Sequence, residues 1–255
     1  MPPALIYKNR QKLKNMRDNI YSETLANVAE FRFDDSVAAV FPDMIQRSVP
    51  GYNNIIAMTG LVAARHAQDH TRCYDLGCSL GASTLAMTAQ LKNRPLQFIA
   101  VDNSEAMLSR CKNHIFSASD TADIQLICGN LQNTPIENAS IVVMNFTLQF
   151  VPLGERDAVM QNIYSGLQPG GALILSEKIC FENPVMQDLT TELHHAFKMA
   201  NGYSKMEVSQ KRSALDNVLI PETLATHENR LLNAGFENFG MWFQCFNFIS
   251  LIAIK

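Results

Sequence analysis

The stretch Arg72-Cys-Tyr-Asp-Leu-Gly-Cys-Ser-Leu-Gly-Ala-Ser83, running on into Thr84-Leu-Ala-Met-Thr-Ala-Gln90, constrains this chain more than any other. It opens with a short apolar run suited to a buried strand. It breaks at Gly77, Ser79 and Gly81, then resumes with helical periodicity. The order is therefore strand, small-residue turn, helix start. Small residues let a ligand press against the backbone, and the first helical turn offers unpaired N–H groups. The spacing G-x-S-x-G lies close to the dinucleotide fingerprint G-x-G-x-x-G without matching it. Asp75, just before Gly77, adds a negative charge that suits a cationic ligand better than a pyrophosphate. A plain βα turn in any α/β protein would look similar, so the turn alone leaves both readings open.

At 255 residues and 47% apolar content, the chain can bury one large α/β core with an extra helical segment. A net charge of −3 offers no broad attraction to nucleic acid, so stable direct binding of RNA or DNA is not expected. Six cysteines (Cys73, Cys78, Cys111, Cys128, Cys180 and Cys245) are scattered without a C-x-x-C pair, the pattern of buried, reduced thiols. No apolar run reaches the length of a membrane span and no signal-peptide core is evident, so a soluble, cytoplasmic protein is expected.

Along the chain, residues 1–32 read as a polar, loosely packed arm, with Lys8, Arg10, Lys12, Lys14 and Arg17 on a solvated face. Residues 33–255 read as a single domain. An amphipathic segment carrying Val37, Val40, Phe41, Met44 and Ile45 is expected to break near Pro42. A second helix covers 53–67, and Tyr52 before it either meets a ligand or packs at the helix corner. Strands are predicted at 97–101, 124–128, 140–144 and 172–177, and helices at 154–167 and 221–234. Residues 181–219 form a helical insertion after the fifth strand. The chain closes with an antiparallel pair, 241–246 and 249–254. Asp102 ends the second strand where an acidic group commonly takes ribose hydroxyls. Ser104 is placed to cap the next helix. Asn130 follows the third strand, where a side chain can read an adenine edge, and Asn145 ends the fourth, on the ligand-binding side of open α/β sheets. His194 and His195 invite a metal reading, but neighbours on a helix point about 100° apart and no His lies four residues away. No metal is expected.

Asp75-x-Gly77-x-Ser79-x-Gly81, Asp102, Asn130 and the Pro169-Gly-Gly turn resemble, in order, the motifs of the class I S-adenosylmethionine (SAM) methyltransferase fold. That resemblance implies a Rossmann-like, seven-stranded, mostly parallel sheet with an antiparallel last strand, preceded by N-terminal helices. Six further stretches narrow it: Val40-Phe-Pro-Asp-Met-Ile-Gln-Arg-Ser-Val-Pro-Gly-Tyr52, Tyr74-Asp-Leu-Gly-Cys-Ser79, Asn145-Phe-Thr-Leu-Gln-Phe150, Ala200-Asn-Gly-Tyr-Ser204, Ser209-Gln-Lys-Arg-Ser213 and Trp242-Phe-Gln-Cys-Phe-Asn247. Together they resemble the bacterial carboxy-SAM synthase family from about Phe33 to Lys255.

The resemblance implies a reaction in which SAM and prephenate give carboxy-SAM, phenylpyruvate and water. The SAM methyl group is deprotonated to a sulfonium ylide that captures the CO2 lost by prephenate. The product feeds a carboxymethyltransferase acting on the wobble uridine of tRNA, and carboxy-SAM is expected to co-purify. The implied roles are Gly77, Cys78 and Ser79 along the methionine and ribose, Asp102 with Asn103 on the ribose hydroxyls, Asn130 and Leu131 on the adenine, and Tyr52 and Asn145 at the sulfonium end. Arg212 is implied as the catalytic residue that binds the new carboxylate and, by extension, a carboxylate of prephenate. Relatives often carry an acidic residue where this chain has Asn130, whose carbonyl can still accept from the adenine amino group. No side chain presents itself as the base for the methyl proton. A homodimer is implied, and Leu189, Leu193, Phe197 and Met206 of the insertion are its candidate interface or simply core. The alternatives are a SAM-dependent methyltransferase of a small molecule or tRNA, and a non-catalytic SAM-binding partner. The nucleoside that co-purifies separates the three.

Overall fold

A computed structural model describes residues 17–118 and 122–255. Lys8, Arg10, Lys12 and Lys14 lie outside the described residues. The elements, in chain order, are α1 (Asp35–Ser48), α2 (Tyr52–His66), β1 (Arg72–Leu76), α3 (Ala82–Gln90), β2 (Gln97–Asp102), α4 (Glu105–Ala118), β3 (Asp123–Cys128), β4 (Ala139–Asn145), α5 (Arg156–Gly166), β5 (Leu167–Lys178), α6 (Pro184–Ala200), α7 (Lys205–Leu215), α8 (Leu224–Ala234), β6 (Asn238–Cys245) and β7 (Phe248–Ile254).

Seven strands form one sheet in the order β3-β2-β1-β4-β5-β7-β6. β1 to β5 pair in parallel, and β7 runs antiparallel to both β5 and β6. The inner strands are near-continuous apolar runs because helices cover both faces. Tyr74, Val142, Met144, Leu173 and Leu175 face α5 and α8 through Met160, Ile163 and Leu231. The alternate residues Cys73, Ile141, Val143 and Ile174 face α2 and α3 through Ala63 and Met87. The period-2 alternation of a strand sorts one sequence into two cores.

Three local expectations are corrected. Helix α1 continues through Pro42 instead of breaking there. Its N-terminus is held by Asp34, which accepts from Ser36 and Val37 N–H, and Val37, Ala38, Val40 and Met44 bury one continuous face. Burial of that face offsets the roughly 3 kcal/mol that an interior proline costs. Helix α8 begins at Leu224, capped by the Thr223 side chain, three residues after the proline expected to start it. It ends, as the glycine predicts, at Gly235 in the left-handed region. Strand β5 is longer than predicted and takes in the Pro169-Gly-Gly turn, with a register shift opposite β4.

The described part of the N-terminal segment is packed, not loose. Asp18, Tyr21 and Phe31 are buried. Asp18 pairs with Lys211 at 3.3 Å and takes a bond from the Tyr203 hydroxyl. Gln210 donates to the carbonyls of Tyr21 and Glu23, and Phe31 N–H to that of Ala214. These side chains strap the segment along α7. Among the described residues no helix is long and apolar enough to cross a membrane.

Candidate active site

A cavity opens over the carboxyl ends of the parallel strands, where open α/β sheets bind ligands. Its base is the turn between β1 and α3. Gly77, Ser79 and Gly81 all have positive φ, 79°, 51° and 83°. At Gly77 the left-handed conformation is needed and a Cβ would collide with the Thr147 side chain, so only glycine fits. Gly77 and Cys78 N–H both donate to the Val101 carbonyl, at 2.8 and 2.9 Å, which locks the turn to β2.

Asp75 does not meet the cavity. It is buried, and its carboxylate accepts from Thr84 N–H (3.0 Å) and the Thr84 hydroxyl (2.6 Å). Helix α3 has no side-chain cap of its own at Gly81, so the strand supplies one. Burial pushes the Asp75 carboxyl up to about 6 against the pull of those bonds. Its charge serves the helix start, and the expectation that it faces a cationic ligand is corrected.

Asp102 and Asn103 line the cavity. The Asp102 carboxylate accepts from Ser79 N–H at 2.8 Å and Ser104 N–H at 2.9 Å, so one group ties the glycine turn to the start of α4. Burial raises it above the usual carboxylate range. The predicted Ser104 cap is present, its hydroxyl accepting from Met107 N–H. Leu131 lines the wall beside Gly129, while Asn130 takes a bond from Asn103 at 3.1 Å and stands outside the lining. Cys78 lines the cavity, and its contact with Cys111, together with burial, holds its thiol protonated.

Asn145 is held on three sides. It donates to the Thr59 and Ser83 hydroxyls at 3.2 and 3.0 Å and accepts from Ser176 at 2.6 Å. The loop after it is shaped by Glu177, whose buried carboxylate accepts from Leu148 and Gln149 N–H, each at 2.9 Å. Burial pushes the Glu177 carboxyl up to about 8. Tyr52 lines the cavity opposite Phe146, ring centres 6.4 Å apart, and burial raises its hydroxyl.

Sequence reasoning missed the cationic end of this cavity. Lys178 from β5, Lys198 from α6 and Lys211 from α7 all line it. They come from three different elements, and no local motif marks any of them. Arg212, next to Lys211, is exposed and outside the lining; the pKa of Lys178 is lowered by burial and then by the Arg212 charge, and that of His195 by burial, then Lys198, then Arg212. The His194 Nε2 lies 2.8 Å from the Ser48 carbonyl and therefore carries the proton of a neutral ring. Burial pulls its pKa down to about 2. Among the described residues no three His, Cys, Asp or Glu side chains are grouped to hold a metal ion. Of the six cysteines, three are buried, Cys180 and Cys245 are half-buried and Cys128 is exposed.

The strand order, the glycine turn and Asp102 at the end of β2 define a class I SAM-methyltransferase-like protein. Residues 74–171 match the family described as Methyltransferase domain. Solved structures agree on the fold. A SAM-dependent methyltransferase described as putative, from Methanococcus maripaludis, is 21% identical with a TM-score of 0.58, covering 91% of this chain and 97% of that one. Human N-acetylserotonin methyltransferase in complex with SAM is 17% identical with a TM-score of 0.59, covering 96% and 65%. Closer in sequence is the carboxy-S-adenosyl-L-methionine synthase of Trichlorobacter lovleyi, 58% identical over 241 residues, 93% of this chain and 98% of the relative. That of Shewanella oneidensis is 52% identical over 239 residues, 94% and 98%. The chain belongs to the carboxy-SAM synthase family.

Proposed function

We propose that this enzyme converts SAM and prephenate to carboxy-SAM, phenylpyruvate and water. The observation that carries this over ordinary methyl transfer is the cluster Lys178, Lys198 and Lys211 in the SAM-fold cavity. SAM bears a positive sulfonium and a single carboxylate, so three lysines in one cavity exceed what SAM and a neutral acceptor call for. A dianionic co-substrate calls for them. β5 lies three strand positions from β2, so Lys178 stands about 14 Å across the sheet from Asp102 at ~4.8 Å per strand. That span leaves room for a nucleoside at one end and an acid at the other.

In this reading Asp102 and Asn103 hold the ribose hydroxyls. Asn130 and Leu131 meet the adenine, and Gly77, Cys78 and Ser79 run along the ribose and methionine. Tyr52 and Asn145 flank the sulfonium. Prephenate loses CO2 and expels its ring hydroxide as the ring becomes aromatic. The methyl C–H gives its proton to that hydroxide, making water, and the electron pair left on carbon bonds the CO2 carbon. Arg212 receives the new carboxylate. No protein base is required, which agrees with the Asp75 and Glu177 carboxylates both being spent on backbone N–H groups. The protein's task is to align two ligands and keep water from the carbanion. Mass spectrometry of SAM incubated with and without prephenate tests the reading. A species heavier than SAM by one carboxylate, formed with phenylpyruvate, is expected. SAM left unchanged by prephenate would return the chain to methyl transfer. In the cell the product would pass to a carboxymethyltransferase acting on tRNA, with no stable nucleic-acid contact by this chain.

The homodimer we propose uses α6. Val185, Leu189 and Leu193 recur every four residues on one helical face and are 72%, 46% and 38% exposed. Phe197 and Met206, the other two candidates, are half-buried within the chain. Such an apolar stripe marks an interaction surface. Light scattering is expected to give the mass of two chains at micromolar concentration, and Leu189→Glu to shift it to one. A parent chain that runs as a monomer would overturn the assignment.

A further inference from the structure

We propose that Lys178 and Lys198, backed by Lys211, form the subsite for the side-chain (pyruvyl) carboxylate of the acid substrate, distinct from the carboxylate that Arg212 serves. The inference rests on the SAM-plus-prephenate reading and assigns within it which cations meet which end of the dianion.

Lys198 and Lys211 are 6% and 4% exposed, and Lys178 is half-buried. All three reach the cavity from different elements: the end of β5, the last turn of α6 and the middle of α7. Lys211 is already matched, with Asp18 at 3.3 Å and the Ser48 hydroxyl at 3.1 Å. Among the described residues, neither the Lys178 nor the Lys198 amino group has an ion pair or a hydrogen bond. The ion pairs fall elsewhere, and the bond at Lys178 is made by its backbone N–H to Gln149. Neither amino nitrogen is sealed off, so both open to the cavity, where the surrounding burial still strips a charged group of part of its hydration. The cost is visible in Lys198, whose pKa is pulled down to about 7 by burial and then by Lys211 and Lys178. Burial, followed by Arg212, likewise lowers Lys178. Two such groups in one wall are relieved together by an anion placed between them.

The anion is a carboxylate separate from that at Arg212 because of helix geometry. Lys211 and Arg212 are adjacent on α7, so their side chains leave the helix about 100° apart, and Lys211 lines the cavity while Arg212 stands exposed outside the lining. The acid substrate carries two carboxylates, one on the ring carbon that loses CO2 and one on the pyruvyl chain. Apolar side chains of Val49, Phe146 and Phe248 line the cavity beside the lysines and suit the ring between them. The methionine carboxylate of SAM is the competing source of the same chemistry, and the experiment separates the two.

Phenylpyruvate keeps only the pyruvyl carboxylate, and phenylacetone is the same skeleton without it. Binding of each to the SAM-loaded protein is measured by calorimetry. The unaltered enzyme is expected to prefer phenylpyruvate by at least about tenfold, the worth of one charge-assisted bond. Lys198→Gln and Lys178→Gln should each erase most of that preference while SAM affinity stays within about threefold, and Arg212→Ala should leave the preference intact. An unaltered enzyme without the preference overturns the subsite, and this arm needs no variant to fold. Lysine variants that lose SAM affinity but keep the preference would give the lysines to the methionine carboxylate instead. Failure of the unaltered enzyme to make carboxy-SAM from prephenate is a different result and sinks the functional reading itself.

Discussion

Arg212→Ala is expected to bind SAM within about threefold of the parent and to form carboxy-SAM about 100-fold more slowly. The size follows from a guanidinium–carboxylate fork, whose charge-assisted bonds are worth about 1.5–3 kcal/mol, with ~1.4 kcal/mol per factor of ten. Arg212 has little structural duty to confuse the result. It is exposed on α7, and among the described residues its guanidinium makes no hydrogen bond or ion pair, in contrast to Arg156 or Arg230. Its field nevertheless reaches Lys178 on the cavity wall. Arg212→Lys keeps the charge without the fork and should fall between parent and alanine variant. Product formation is read by mass spectrometry and SAM affinity by calorimetry. Turnover of the alanine variant at the parental rate would remove Arg212 from the chemistry.

The second large effect is on stability. Arg156→Met is expected to cost about 3 kcal/mol, because it strips a buried, fully bonded cation from its partners. At a domain of this size that lowers Tm by about 10 °C. The guanidinium is 1% exposed. It donates to the Val151, Gln149 and Ile220 carbonyls at 2.9, 3.1 and 3.0 Å and pairs with Glu222 at 2.5 Å. Burial alone would raise the Glu222 carboxyl, but bonds from Arg230 and Arg156 outweigh it and hold Glu222 below its ordinary value. One side chain thus ties the loop after β4, which carries Gln149 on the cavity wall, to the segment returning from the helical insertion. Thermal unfolding followed by circular dichroism checks the shift. A variant that melts with the parent would show that Arg230 alone suffices to hold Glu222.

The parts of this protein that sequence determined are those encoded within a few residues. The β1–turn–α3 unit follows from Gly77 and Gly81, whose positive φ glycine adopts without strain, while Ser79 between them is held in the same region with its N–H bonded to Asp102. The end of α8 follows from Gly235, and the alternating cores from the period of the strands. The sheet class and family were legible because these local signals recur in a specific order, and the identity to carboxy-SAM synthases bears that out. What only the tertiary structure decided is where charges far apart in the chain converge. Asp75 reads as a ligand group and turns out to cap α3, because the helix start that needs it lies nine residues on. Asp18 in an apparently loose arm becomes the partner of Lys211, 193 residues away. Lys178 and Lys198 carry no local signal, since nothing in the sequence pattern says what packs over a lysine. Periodicity reports which face of an element is apolar. It does not report which three elements share a cavity, because that depends on sheet order and on the packing of α6 and α7 over it, contacts made between residues with no local sequence relation.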